Sequence, residues 1–198
     1  MTTYILIGGN MRTSSSDKKA ELSAVVQKAV HGPLRMTAVF FGEPREAWED
    51  KFNGRYKFYE SLFGNPQVRL TTPETFLDDV AWANVIFLHG GYETRIAQHL
   101  DKIPSLEKLF TNKVIIGDSA GAVYLAKDAW SAWIDGHLSH GRGLVPVAVI
   151  PHFGSKDYDK YFDAAIDWKA AKRELAAATN LPIHVIRDGD FEIFEETK

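Results

Sequence analysis

A serine flanked by glycines, in Gly117-Asp118-Ser119-Ala120-Gly121, directly follows an apolar run at 113–116. Gly-x-Ser-x-Gly between a buried strand and a helix is the pattern of a nucleophile elbow. Its glycines permit a tight turn and close helix–strand packing, and the turn lifts the serine Oγ above the sheet. The Ala120 amide then points where an oxyanion would form, and the helix N-terminus favours negative charge there. The competing reading is that Ser119 only caps the helix. A catalytic hydroxyl also needs a base, and the base needs an orienting group.

Seven histidines are available. His31 and His99 fall in or beside helices, where surface exposure is expected, and His184 falls inside a strand. His137 and His140 occupy a loop rich in Gly and His, with too few ligands for a metal site. His152 ends a buried strand directly after Pro151, at the same rim as the serine. It is the expected base, with His140 second. Three carboxylates, Asp188, Asp190 and Glu192, crowd the last turn, and alternation puts them on one face of an extended segment. Asp188 follows a strand and so reaches the rim, although Asp-Gly is also ordinary turn chemistry.

Composition narrows the setting. The 198 residues suit one domain spanning 1–198, with 45% hydrophobic and 25% charged residues as in ordinary globular proteins. A net charge of −3 argues against a nucleic-acid surface, which needs clustered Lys and Arg. No apolar run approaches the roughly 18 residues of a membrane span. The start, MTTYILIGGN, lacks the basic region of a signal peptide, so a first strand and a cytoplasmic location are expected. Absence of cysteine excludes disulfides and any thiol nucleophile. No cofactor or metal motif is present.

The elements that must hold these groups alternate. Apolar runs at 4–7, 36–41, 67–70, 84–88, 113–116 and 144–150 predict strands. Helices are expected after Ser16 and Asp17, over 43–63 with a break at Gly54, from Thr72-Pro73-Glu74 onward, and over 158–178. Continuous apolar strands between helices indicate a mainly parallel sheet covered on both faces. The runs at 183–186 and 191–194, joined at Asp188-Gly189, predict an antiparallel C-terminal hairpin. Trp130 and Trp133, beyond the elbow helix, are candidates for a pocket, for a subunit contact in a homodimer, or for the core.

Two hydrolase families share the serine motif. Esterases of the hormone-sensitive-lipase type carry Gly-Asp-Ser-Ala-Gly, and His89-Gly90-Gly91-Tyr92 imitates their oxyanion motif. Those chains are longer, however, and place their histidine in a late loop after the aspartate. The sequence resembles more closely the dipeptidase E family of serine peptidases, which includes the cyanophycinases. Four anchors carry the resemblance in order: Gly90-Gly91, Gly117-Asp118-Ser119-Ala120-Gly121-Ala122, Ile150-Pro151-His152-Phe153, and Asp188-Gly189. They span about half the chain.

The resemblance implies an α/β, three-layer, flavodoxin-like sheet related to class I glutamine amidotransferases. It implies Ser119 as nucleophile, His152 as base, Asp188 where the family has glutamate, and the Gly91 and Ala120 amides as the oxyanion hole. The implied activity is cofactor-free, serine-type hydrolysis of small peptides near the N-terminus, with Asp-X peptides among the substrates. The chain departs from the family at Tyr92-Glu93, which replace Asn-Thr, and beyond His152, where Lys169 or Arg173 would have to replace a recognition arginine. These four residues are the candidate substrate contacts. A non-catalytic binding module on the same fold is the alternative class. The expected partner is a small peptide, with no nucleic acid and no membrane.

Overall fold

The computed structural model describes residues 1–132, 136–157 and 165–195. Short apolar runs build the first sheet. The strands β1 (Thr3–Ile7), β2 (Arg35–Val39), β4 (Val85–Leu88) and β5 (Val114–Asp118) are buried along nearly their whole length. A parallel sheet covered on both faces demands this. At one edge β3 (Gln67–Leu70) alternates between exposed and half-buried positions. At the other edge lies β10 (Phe191–Glu195), giving the order β10-β1-β5-β4-β2-β3. All neighbours are parallel except β1 with β10. The architecture is flavodoxin-like, with helices α1 (Ser16–Ala29), α2 (Trp48–Phe63), α3 (Phe76–Trp82), α4 (Glu93–Leu100) and α5 (Leu106–Leu109) between the strands.

Local chemistry sets the helix boundaries. The Ser15 hydroxyl, one residue before the expected caps, accepts from the Lys18 amide and starts α1. Pro73 lies in a turn closed by Thr72 and Thr75, and α3 begins beyond it. Gly54 does not break α2, which continues through it from Trp48 to Phe63. No helix among the described residues is long and apolar enough to cross a membrane.

A second sheet was not expected from the sequence. The short elbow helix α6 (Ala120–Leu125) passes directly into β6 (Ala126–Ser131), which pairs with β7 (His137–His140) and β8 (Val145–Ile150). The order is β7-β6-β8-β9, with β9 at Ile183–Val185. His137 and His140 therefore stand on an edge strand, not in a loop. A separate cluster under this sheet contains Trp130, Ile150, Ala171 and Leu175, so Trp130 is core, and its Nε1 donates to Glu174 at 2.8 Å. Trp133 lies outside the described residues. Helix α7 (Trp168–Ala178) starts later than expected because Asp167 caps it, accepting from the Lys169 and Ala170 amides. Of the expected helix, 158–164 lies outside the described residues.

The C-terminal hairpin does not form. β9 pairs in parallel with β8, while β10 pairs antiparallel with β1 in the other sheet. The turn at Asp188-Gly189 bonds to the end of β1 instead of closing a hairpin: the Gly189 amide donates to Gly9 O at 2.7 Å and the Gly8 amide to Asp190 O at 3.0 Å. Each strand finds a longer partner than the other could offer, and the connection bridges the two sheets.

Gly54 provides a test of α2. A Cβ there meets nothing within 4 Å, and the residue is not in the left-handed region. Gly54→Ala should raise stability by about 0.5–1 kcal/mol by removing unfolded-state freedom. Urea unfolding would show it as a higher midpoint at unchanged slope; a lower midpoint would contradict the helix.

Candidate active site

The elbow is held by contacts that only glycine permits. A Cβ on Gly117 would lie 2.6 Å from Gly121 O, and one on Gly121 would lie 2.3 Å from Leu88 O. Between them Ser119 adopts φ 54 and ψ −111, a conformation that costs a non-glycine residue about 1–3 kcal/mol. The Ser119 amide donates to Ile7 O at 3.0 Å and the Val123 amide to Ser119 O at 3.1 Å, so both sides of the residue are fixed.

His152 meets this serine from the second sheet. Its Nε2 lies 2.8 Å from Ser119 Oγ, and its Nδ1 lies 2.6 Å from Asp188 Oδ1. His152 also has a positive φ of 57. It is pinned by its amide, which donates to Gly8 O at 2.7 Å. The imidazole lies so close over Gly9 that a Cβ there would fall 2.0 Å from its Cε1. The remaining Asp188 oxygen accepts from the Ser155 hydroxyl. Burial raises the Asp188 pKa, but hydrogen bonds from His152 and Ser155 and the imidazole charge outweigh it, and the net shift is downward. An ionised Asp188 accepts a hydrogen bond from Nδ1–H, which holds the proton on Nδ1 and leaves the Nε2 lone pair free to accept from the serine hydroxyl.

The other candidates are placed elsewhere. Asp190 pairs with Lys18 at 3.2 Å, and Glu192 lies 3.9 Å from His184. His140 is exposed and pairs with Asp128 at 2.8 Å. Gly91, at φ 126, sits where a Cβ would meet Gly42 O at 2.4 Å, and the Tyr92 amide holds the turn by donating to Gly42 O at 2.8 Å. The Gly91 and Ala120 amides make no backbone hydrogen bond among the described residues. Both residues line a small hole of about 10 Å³ beside Ser119, together with Glu93. Two amides without a backbone acceptor, on residues that line one hole with Ser119, are the groups available there to hold a developing oxyanion.

On the other side of Ser119 opens a cavity of about 450 Å³. Its buried wall includes Phe40, His89 and Asp118, and its outer wall includes Arg12, Lys51 and Arg55. Neither Lys169 nor Arg173 lines it: both are exposed on α7, where Arg173 lies 3.9 Å from Asp167. Tyr92 does not line it either, and packs under the Arg95 guanidinium at 4.5 Å. The cations that do face the cavity escaped sequence reasoning. They come from the first 55 residues, and only the spacing of Lys51 and Arg55 on one helix face hints that they act together.

No family model matches the sequence, and no curated protein matches it. Solved structures do. A peptidase from an acI-B1 Actinobacterium superposes with a TM-score of 0.69 at 18% identity, covering 98% of this chain and 83% of that one. A Listeria monocytogenes EGD-e protein named as a peptidase E superposes with a TM-score of 0.66 at 15% identity, covering 98% and 97%. The chain has the peptidase E fold. Like the sequence resemblance, the superposition with the peptidase E structure runs through both sheets, since it covers almost the whole of each chain.

His89 gives the cavity wall a pH-dependent cost. Its ring stacks between Phe40 and Phe87, each at a 4.2 Å centroid distance, and its Nε2 lies 2.7 Å from the Tyr59 hydroxyl. Burial, reinforced by Arg55 and Lys51, lowers its pKa well below 6.5. The unfolded chain therefore takes up a proton here before the folded one does. Stability should fall as pH drops below about 6.5, by up to about 1.4 kcal/mol per pH unit from this group. Thermal unfolding between pH 7.5 and 5.5 should show that slope reduced in His89→Asn; an unchanged slope would exclude His89 as its source.

Proposed function

We propose that the protein is a serine-type peptidase that hydrolyses small peptides near the N-terminus through an acyl-enzyme. The observation that carries this reading is the unbroken hydrogen-bond chain from Asp188 through His152 to Ser119 Oγ. Ser119 Oγ attacks the scissile carbonyl as its proton passes to His152 Nε2. Asp188 holds the tautomer and stabilises the imidazolium, while the Gly91 and Ala120 amides receive the oxyanion. The imidazolium then protonates the leaving amine, the C–N bond breaks, and the acyl group remains on Oγ. Water, deprotonated by His152, hydrolyses the ester and returns the proton to Ser119.

The cavity supports Asp-X peptides within this class. Arg12 and Arg55 face it and have no ion-pair or hydrogen-bond partner among the described residues. A guanidinium matches the planar carboxylate of an acidic side chain. In this reading those two arginines, rather than Lys169 and Arg173, receive the acidic group.

A panel of dipeptides including Asp-X, assayed with the parent chain and Ser119→Ala, tests the proposal. The variant should lose at least about 1000-fold in kcat, and a fluorophosphonate should label the parent at Ser119. Equal rates in both proteins, or an unlabelled parent, would overturn the hydrolase reading in favour of a binding module.

A further inference from the structure

Asp118 is left unexplained by the hydrolytic machinery. It closes β5 directly before the nucleophile, is 6% exposed and lines the large cavity. Among the described residues its carboxylate has no hydrogen-bond or ion-pair partner, and Oδ1 is sealed from solvent. A buried carboxylate without a partner is costly. Its neighbours on the site are already engaged. Asp188 serves His152 and Ser155, Glu43 takes Lys51 at 2.8 Å, and Asp157 has an interaction of its own. Burial pushes the Asp118 pKa up, against the pull of Arg55 and His152.

A second unpartnered polar atom lines the same wall. His89 is 2% exposed, and its Nδ1 is buried without a hydrogen bond. Kept neutral, with Nε2–H donated to the Tyr59 hydroxyl, the ring leaves its Nδ1 lone pair sealed behind the wall without a donor among the described residues. The cavity thus has a carboxylate without a partner in its buried wall and, further out, two guanidinium groups that are unpaired among the described residues.

We infer that Asp118 anchors the α-ammonium of the substrate's first residue, so that the enzyme reads a free amino terminus. This rests on the peptidase reading above. The α-nitrogen of an N-terminal residue lies only about 2.5 Å from its own carbonyl carbon, because one Cα joins them. When Ser119 attacks that carbonyl, the ammonium is confined to the corner of the cavity next to the nucleophile. Asp118 is the unengaged carboxylate there. The acidic side chain then extends toward Arg12 and Arg55. Asp118 is therefore a specificity-determining residue, distinct from the proton relay.

The test compares Asp-Leu with N-acetyl-Asp-Leu. The parent should prefer the free amine by at least about 30-fold in kcat/KM, the scale set by losing one partner of a buried charge pair. Asp118→Asn should erase that preference through KM. Glu93→Gln should keep it: Glu93 Oε1 is buried but lies 3.4 Å from His137 Nε2, and its hole of about 10 Å³ admits little more than a water. Calorimetry on Ser119→Ala, which keeps Asp118, should show Asp-Leu binding and N-acetyl-Asp-Leu failing to bind. Equal binding of both, binding of neither, or a preference erased by Glu93→Gln and not by Asp118→Asn overturns the anchor. If the parent is also unlabelled by fluorophosphonate and cleaves neither peptide, the hydrolase reading falls as well; a labelled, hydrolytic parent means that the anchor alone was wrong.

Discussion

Two adjacent glycines at the end of β1 occupy a seam too narrow for any side chain. A Cβ on Gly8 would lie 2.2 Å from Arg187 O, and one on Gly9 would enter the His152 ring. Through that seam pass the bonds that join the two sheets: His152 N to Gly8 O, Gly189 N to Gly9 O, and Gly8 N to Asp190 O. The placement of His152, the path of the chain from β9 to β10, and the position of Asp188 all depend on this closeness. A wider seam would carry His152 away from Ser119, which belongs to the other sheet.

Strain and charge are then distributed around the seam. Ser119 and His152 both hold positive φ, and neighbouring backbone bonds fix each of them on two sides. The two aspartates nearest the serine experience opposite environments. Asp188 receives donors on both oxygens and its pKa is lowered, whereas Asp118 receives none among the described residues and its pKa is raised. One carboxylate thus favours its ionised form against an imidazole, and burial disfavours the ionised form of the other. Divergent environments for neighbouring carboxylates are a common basis for dividing roles at a site.

Much of the first sheet was legible in the sequence, because β1, β2, β4 and β5 are continuous apolar runs buried on both faces. The elbow was legible because its glycines carry steric information. The second sheet was harder to read. β6 follows α6 without a turn residue, and β7 is the polar stretch His137–His140 on an edge. The segment around Asp188 reads as a hairpin because Asp-Gly chemistry is local, while the choice of strand partner is made by distant segments. For the same reason Arg12 and Arg55, far from the motif in sequence, gave no sign that they face the cavity, and Lys169 and Arg173 were favoured instead.

The site also spans a mechanical boundary. Ser119 belongs to the first sheet and its large core, His152 to the end of β8 over a much smaller cluster, and Asp188 to the strap between them. The smaller unit has less buried surface to oppose sub-global opening. A slight parting of the sheets would draw His152 off Ser119 while leaving the turn around Ser119 intact. Reactivity at Ser119 therefore gauges how tightly the two halves are docked, and under mild denaturant it should vanish while amides of the first sheet still resist exchange.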